Sequence, residues 1–220
     1  MLSDVVLTVR EPRIEEIPTA PGHSPFRIKG LAWRDTIARH DELPGGASAV
    51  SALLPSEALR RFYAQSFLSS GWYDVMPMMF VDAAAAKILG VPFEESLRAG
   101  TRRQAHRVLS GIYRSFVKLM VPSAIAWAIP RLAANYYDFG EVKTERVSVQ
   151  HVRGVVAGVP VVLADWYAVT SLEFVLVALE LCGCVRPSLE WVIPASSSFR
   201  EGFALADLEF DIRWVGTREA

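Results

Sequence analysis

Residues 135–191 read NYYDFGEVKTERVSVQHVRGVVAGVPVVLADWYAVTSLEFVLVALELCGCVRPSLEW, and this run decides the fold. Tyr136 to Gly140 turns a preceding helix into a sheet. Val142, Thr144, Arg146 and Ser148 alternate with Lys143, Glu145, Val147 and Val149, the two-residue period of a strand. Val155 to Leu163 is a valine-rich second strand interrupted by Gly158 and Pro160, and the proline points to an edge or a bulge. Ala168 to Leu181 predicts a helix apolar around most of its circumference, hence a central one, with Gly183 as its C-terminal cap. Leu189 to Ile193 reads as a further short strand.

On the C-terminal side, Leu208, Phe210, Ile212 and Trp214 alternate with Glu209, Asp211 and Arg213, which predicts a half-buried strand. On the N-terminal side the pattern changes to helical spacing. Leu59, Phe62, Tyr63, Ser66 and Phe67 follow a helical stripe started at Ser56. Helices are predicted over 75–89, 101–120 and 123–137, the first closed by Gly90 and Pro92, the last bent at Pro130. Phe93–Arg98 reads as a separate short helix ended at Gly100. Trp33–Arg39 reads as a short helix, Phe26–Leu31 as a strand and Ser48 as a helix cap. Four prolines and Gly22 between residues 10 and 25 mark an extended linker. The expected organisation is an N-terminal arm and linker over 1–25 and a single α+β domain over 26–220. N-terminal helices would pack on a C-terminal antiparallel sheet, with one long apolar helix near the end.

A chain of 220 residues, 51% hydrophobic and 21% charged, has enough apolar surface for a large core and a surplus for a pocket or a partner surface. A net charge of −1 argues against nucleic-acid binding, which needs clustered positive charge. The two cysteines, Cys182 and Cys184, are too close to bridge without strain, and the charged N-terminus has no signal-peptide core. Both fit a cytoplasmic setting. No transmembrane segment is expected, because Lys118, Pro122, Pro130 and Arg131 interrupt the most apolar region.

No motif for catalysis or metal binding is complete. There is no Gly-x-Ser-x-Gly elbow, no His-Glu-x-x-His and no phosphate loop. Cys182 and Cys184 with His106 or His151 could form a thiolate pair, but two small core residues at a helix end is the simpler reading. Arg102, Arg103 and Arg107 read either as a site for an anionic head group or as a solvated helix face. No catalytic residue and no metal ligand is assigned, and any cofactor stays unknown. The aromatic and methionine residues flanking the apolar helices are the candidate ligand-binding set: Trp72, Met76, Met79, His106, Tyr113, Trp127, Tyr136, Tyr137 and Trp166. Together they suit a pocket of aromatic and aliphatic walls with a few polar tips.

Trp72-Tyr73, Gly100 before a long helix, Tyr136-Tyr137-Asp138-Phe139-Gly140 and Leu179-Glu180-Leu181-Cys182-Gly183 resemble an uncharacterised myxobacterial domain family of about this length. More remotely, the order of elements is similar to the group that includes haem-nitric-oxide-binding domains, the 4-vinyl-reductase small-molecule domain and Bet3-type trafficking subunits. The resemblance implies helices enclosing a pocket beside an antiparallel sheet, in proteins that bind ligands or act as scaffolds more often than they catalyse. No histidine matches a proximal haem ligand, and Tyr113-Arg114-Ser115 does not have Tyr-x-Ser-x-Arg spacing.

The reading that follows is a non-enzymatic sensor or carrier domain with a signalling role. It would bind an apolar or aromatic small molecule, lipid-like or tetrapyrrole, between the helices. A scaffold that pairs with itself or a partner protein is the alternative. An enzyme using His106, Tyr137 and Asp138 as acid–base groups is a third.

Overall fold

The computed structural model describes residues 9–110, 124–193 and 198–217. Its plan is α+β, with the helices leading and an antiparallel sheet in the C-terminal half. After a 3-10 turn at Ile14–Glu16, strand β1 (Arg27–Lys29) feeds helix α1 (Gly30–Asp41), followed by α2 (Gly46–Leu53) and α3 (Glu57–Tyr63). Strand β2 (Trp72–Asp74) returns to pair antiparallel with β1. Trp72 and Tyr73 therefore sit in a small two-stranded sheet that alternation over three residues cannot signal. Helix α2 is capped by Gly45 at φ 77° rather than by Ser48, because the helix begins three residues earlier than a Ser48 cap implies. Ser56 caps α3 as expected, its hydroxyl accepting from Leu59 N–H.

Helix α4 (Met76–Leu89) ends at Gly90 in the left-handed conformation, φ 67°. The chain bends by 105° there into α5 (Phe93–Ser110). The sequence predicts a break at Gly100, but α5 runs straight through it. Gly100 is a point of close approach: a Cβ there would lie 1.8 Å from Arg39 Nη1. The predicted continuation over 111–120 lies outside the described residues. Helix α6 (Ile125–Tyr136) continues through Pro130.

Strands β3 (Glu141–Ser148), β4 (His151–Pro160), β8 (Phe203–Arg213) and β6 (Ser188–Val192) form the main sheet in that order, with β7 (Ser198–Arg200) also on β8. β4 is an inner strand. Its irregularity is a bulge where the register with β8 slips between Val156 and Val159. Gly158 takes the left-handed conformation there, φ 74°, and its N–H goes to Asp207 Oδ1 at 2.8 Å. Pro160 closes β4 and caps α7 (Val161–Leu181), so Val161–Leu163 belong to the helix and not to the strand. Strands β5 (Cys184–Val185) and β9 (Gly216–Thr217) pair as a separate short ribbon.

α7 is the core helix. It is long and apolar enough to cross a membrane by length and composition, but 56% of its most apolar window is buried inside the fold. It lies between α5 and the inner face of the sheet. Its charged residues meet α5 through Arg98–Glu173 at 3.0 Å and Arg102–Glu180 at 2.5 Å. Arg102 is thus tied to α7, which makes it part of a helix contact. The Asp74 carboxylate fastens the chain entering β1. It accepts from Gly22 N–H (2.8 Å), Ser24 N–H (3.2 Å), Ser24 Oγ (2.5 Å) and Met76 N–H (2.9 Å).

Gly154 sits where β4 is crowded from both sides. A Cβ there would lie 2.3 Å from the Phe210 ring and 2.6 Å from the Lys143 carbonyl. Backbone cannot give way as a side chain can, so Gly154→Ala is expected to destabilise the protein by about 2–3 kcal/mol in urea unfolding. A loss below about 0.5 kcal/mol would contradict this packing.

Candidate functional site

A cavity of about 130 Å³ opens between α1, α4, α5, α6, α7 and the inner face of the sheet. Its walls come from the apolar faces that meet there. α7 contributes Trp166, Tyr167, Thr170, Ser171, Phe174, Val175 and Ala178. α6 contributes Ile129, Leu132, Ala133 and Tyr136, and the sheet contributes Val142, Val156, Leu189, Trp191, Phe210 and Ile212. Aromatic rings make contact in sequence along one side: Tyr137 to Tyr167 at 5.0 Å, Tyr167 to Trp191 at 6.4 Å and Trp191 to Phe210 at 5.1 Å between centroids. Such offset and edge contacts hold the wall rigid. Trp191 is buried, and its indole N–H has no hydrogen-bond partner among the described residues.

The wall is polar in one place. Asp82, the one carboxylate of α4 and a buried one, accepts from Arg39 Nη2 of α1 at 2.5 Å and from Trp166 Nε1 of α7 at 3.0 Å. A buried carboxylate persists only where it is paired and hydrogen-bonded, and this one joins three helices that enclose the cavity. Thr36, Thr101 and Gln104 also line the cavity. Next to Arg39, outside the cavity wall, buried His40 places Nδ1 3.0 Å from the Tyr63 hydroxyl. Burial, reinforced by the Arg39 charge, lowers the His40 imidazole from 6.5 to about 4.

Of the residues singled out from sequence, Tyr136, Tyr137 and Trp166 line this cavity. Met76 and Met79 are buried elsewhere in the core, and it is Met78 that reaches the wall. Trp72 is half-buried in β2 with Lys29 Nζ 3.8 Å above its ring. His106 is exposed on α5 and is not among the lining residues. Tyr113 and the Trp127 side chain lie outside the described residues. Asp138 is exposed, and its Oδ1 accepts from Arg27 N–H at 2.7 Å, which fastens the turn after α6.

Cys184 is buried, and burial pushes its thiol up to about 12, so little thiolate forms at neutral pH. His151 faces the Asp211 carboxylate across β4 and β8. Among the described residues no group of three or more histidine, cysteine, aspartate or glutamate side chains could hold a metal ion.

The residues that sequence reasoning missed are Arg39, Asp82 and Trp191. One signal for Asp82 was available: a lone carboxylate in the run MPMMFVDAAAAKIL must find a partner if that helix is buried.

No protein-family model matches the chain, and no curated protein matches it by sequence. Solved structures do match. The Fe(II) unliganded H-NOX protein from K. algicida superposes with a TM-score of 0.57 at 11% identity, over 87% of this chain and 99% of that one. A point mutant of the T. Tengcongensis H-NOX gives 0.56 at 12% identity, over 86% and 98%. An oxygen-binding H-NOX domain related to soluble guanylate cyclases, in its oxygen complex, gives 0.55 at 12% identity, over 86% and 96%. At this identity the likeness is one of fold: the chain is built on the same α+β plan as H-NOX domains, along nearly their whole length.

Proposed function

We propose that this protein is a non-enzymatic sensor or carrier domain that holds one small apolar or aromatic molecule in the cavity beside α7. The observation that carries the reading is the cavity itself. It is an apolar, aromatic-walled space in the centre of a fold shared with small-molecule-binding H-NOX domains. A cavity of about 150 Å³ lined by apolar side chains is known to take up benzene, so a space of about 130 Å³ suits a single ring or a short branched chain.

The H-NOX structures raise the question of haem. The described residues of the cavity wall do not fit it. Among the described residues no histidine or cysteine lines the cavity; the side chains there that could reach an iron are Met78 and the phenols of Tyr136, Tyr137 and Tyr167. Burial pushes the Tyr137 phenol upward and that of Tyr167 to about 12, away from the tyrosinate that a haem iron binds. The volume is also that of one ring and far below that of a porphyrin.

Native mass spectrometry of protein purified from its own host tests the proposal. A discrete small adduct, lost on unfolding, is expected. Ala178 is buried and faces the cavity from α7. Ala178→Leu is expected to fill the space, keep or raise stability by up to about 1 kcal/mol, and abolish the adduct. An adduct undiminished in the variant would place the ligand elsewhere and end this reading.

A further inference from the structure

Resting on the cavity as a ligand site, we infer that its ligand is neutral and carries a hydrogen-bond acceptor, such as a carbonyl or ether oxygen, seated against Arg39. Arg39 has five N–H donors, and its hydrogen bond to Asp82 occupies one of them, on Nη2. The side chain is nonetheless only 13% exposed. Its position is built in: Gly100 is buried in α5, and a Cβ there would take the place of Nη1. A helix-interior glycine is costly relative to alanine, and here it leaves room for the guanidinium. A ligand that accepts hydrogen bonds suits a guanidinium with donors beyond the one that Asp82 occupies.

Charge decides between a neutral acceptor and an anion. Arg39 and Asp82 are the only charged residues in the cavity wall among the described residues, and they compensate one another at 2.5 Å. A ligand carboxylate on Arg39 would be buried beside the Asp82 carboxylate with no second cation, and an uncompensated buried charge is strongly unfavourable. A neutral oxygen accepts from the guanidinium without that penalty.

Isothermal titration of the full chain at pH 7 with ethylbenzene, acetophenone and benzoate separates the outcomes. Apolar transfer differs between ethylbenzene and acetophenone, so the informative quantity is their ratio of Kd values in wild type against that in Arg39→Met/Asp82→Leu, where both charges are removed together. Acetophenone is expected to lose at least about tenfold relative to ethylbenzene in the double variant, the size of a hydrogen bond to a charged donor. Benzoate is expected to bind wild type at least about tenfold more weakly than acetophenone. In Gly100→Ala the displaced guanidinium should reduce the acetophenone preference in the same direction, which gives a second readout if the double variant does not fold. An unchanged ratio in a folded variant, or benzoate binding tightest, overturns the inference while leaving the cavity reading standing. Failure of all three probes to bind overturns both.

Discussion

Replacing Asp82 with alanine is expected to lower the free energy of unfolding by about 3–5 kcal/mol, the range for removing one partner of a buried ion pair. The substitution leaves the Arg39 guanidinium, 13% exposed, with no counter-charge in the cavity wall among the described residues. It also leaves Trp166 Nε1 without its acceptor at 3.0 Å. Because Asp82 joins α1, α4 and α7, the loss should appear as a lower urea midpoint for the whole domain. Arg39→Met/Asp82→Leu removes both charges and should be more stable than Asp82→Ala, since well-packed apolar replacements of buried pairs are often neutral. An Asp82→Ala cost under about 1 kcal/mol would mean that the pair is effectively solvated, and it would sink the description of this wall.

Acidification is expected to remove on the order of 3 kcal/mol of stability through His40 alone. Its folded-state value is about 4 against 6.5 unperturbed, so between these limits the unfolded chain binds a proton that the native chain does not. The contribution is complete above pH 6.5 and is lost as pH falls toward 4. The carboxyls of Asp35, Asp138 and Asp165 are raised, chiefly by desolvation. They act in the opposite sense, gaining protons in the native state above their ordinary range. Comparison with His40→Asn isolates the imidazole. The stability advantage of wild type over this variant should shrink by about 3 kcal/mol between pH 7 and pH 4 in matched urea melts. A pH-independent difference would show that His40 does not titrate in that window.

The architecture was legible because its longest elements carry clean periods. Leu208, Phe210 and Ile212 mark the inner face of β8, and the all-round apolarity of 168–181 marks the core helix. What was not legible lay where tertiary contacts override local signals. Gly100 looked like a helix break and is a site of close approach to Arg39. Pro160 looked like part of a strand and is the point where strand becomes helix. β1 and β2 are three residues each, too short for alternation to register.

The cavity was half legible. Tyr136, Tyr137 and Trp166 stood out as aromatics beside apolar helices. Arg39 and Asp82 are 43 residues apart, and nothing local reveals that they meet. His106 drew attention for its chemistry, although its position on the exposed face of α5 gives it no part in the cavity wall.

On the function proposed above, the cavity beside α7 takes up one small apolar molecule. The most direct measurement follows the tryptophan indole N–H resonances of uniformly ¹⁵N-labelled protein during titration with ethylbenzene. Trp166 and Trp191 line the cavity, whereas Trp33, Trp72 and Trp214 do not. The Trp166 and Trp191 signals are expected to shift and saturate at one equivalent, those of Trp33, Trp72 and Trp214 to hold their positions, and Ala178→Leu to abolish the response. Signals that fail to saturate, or Trp166 and Trp191 signals that move no more than those of Trp33, Trp72 and Trp214, would contradict it.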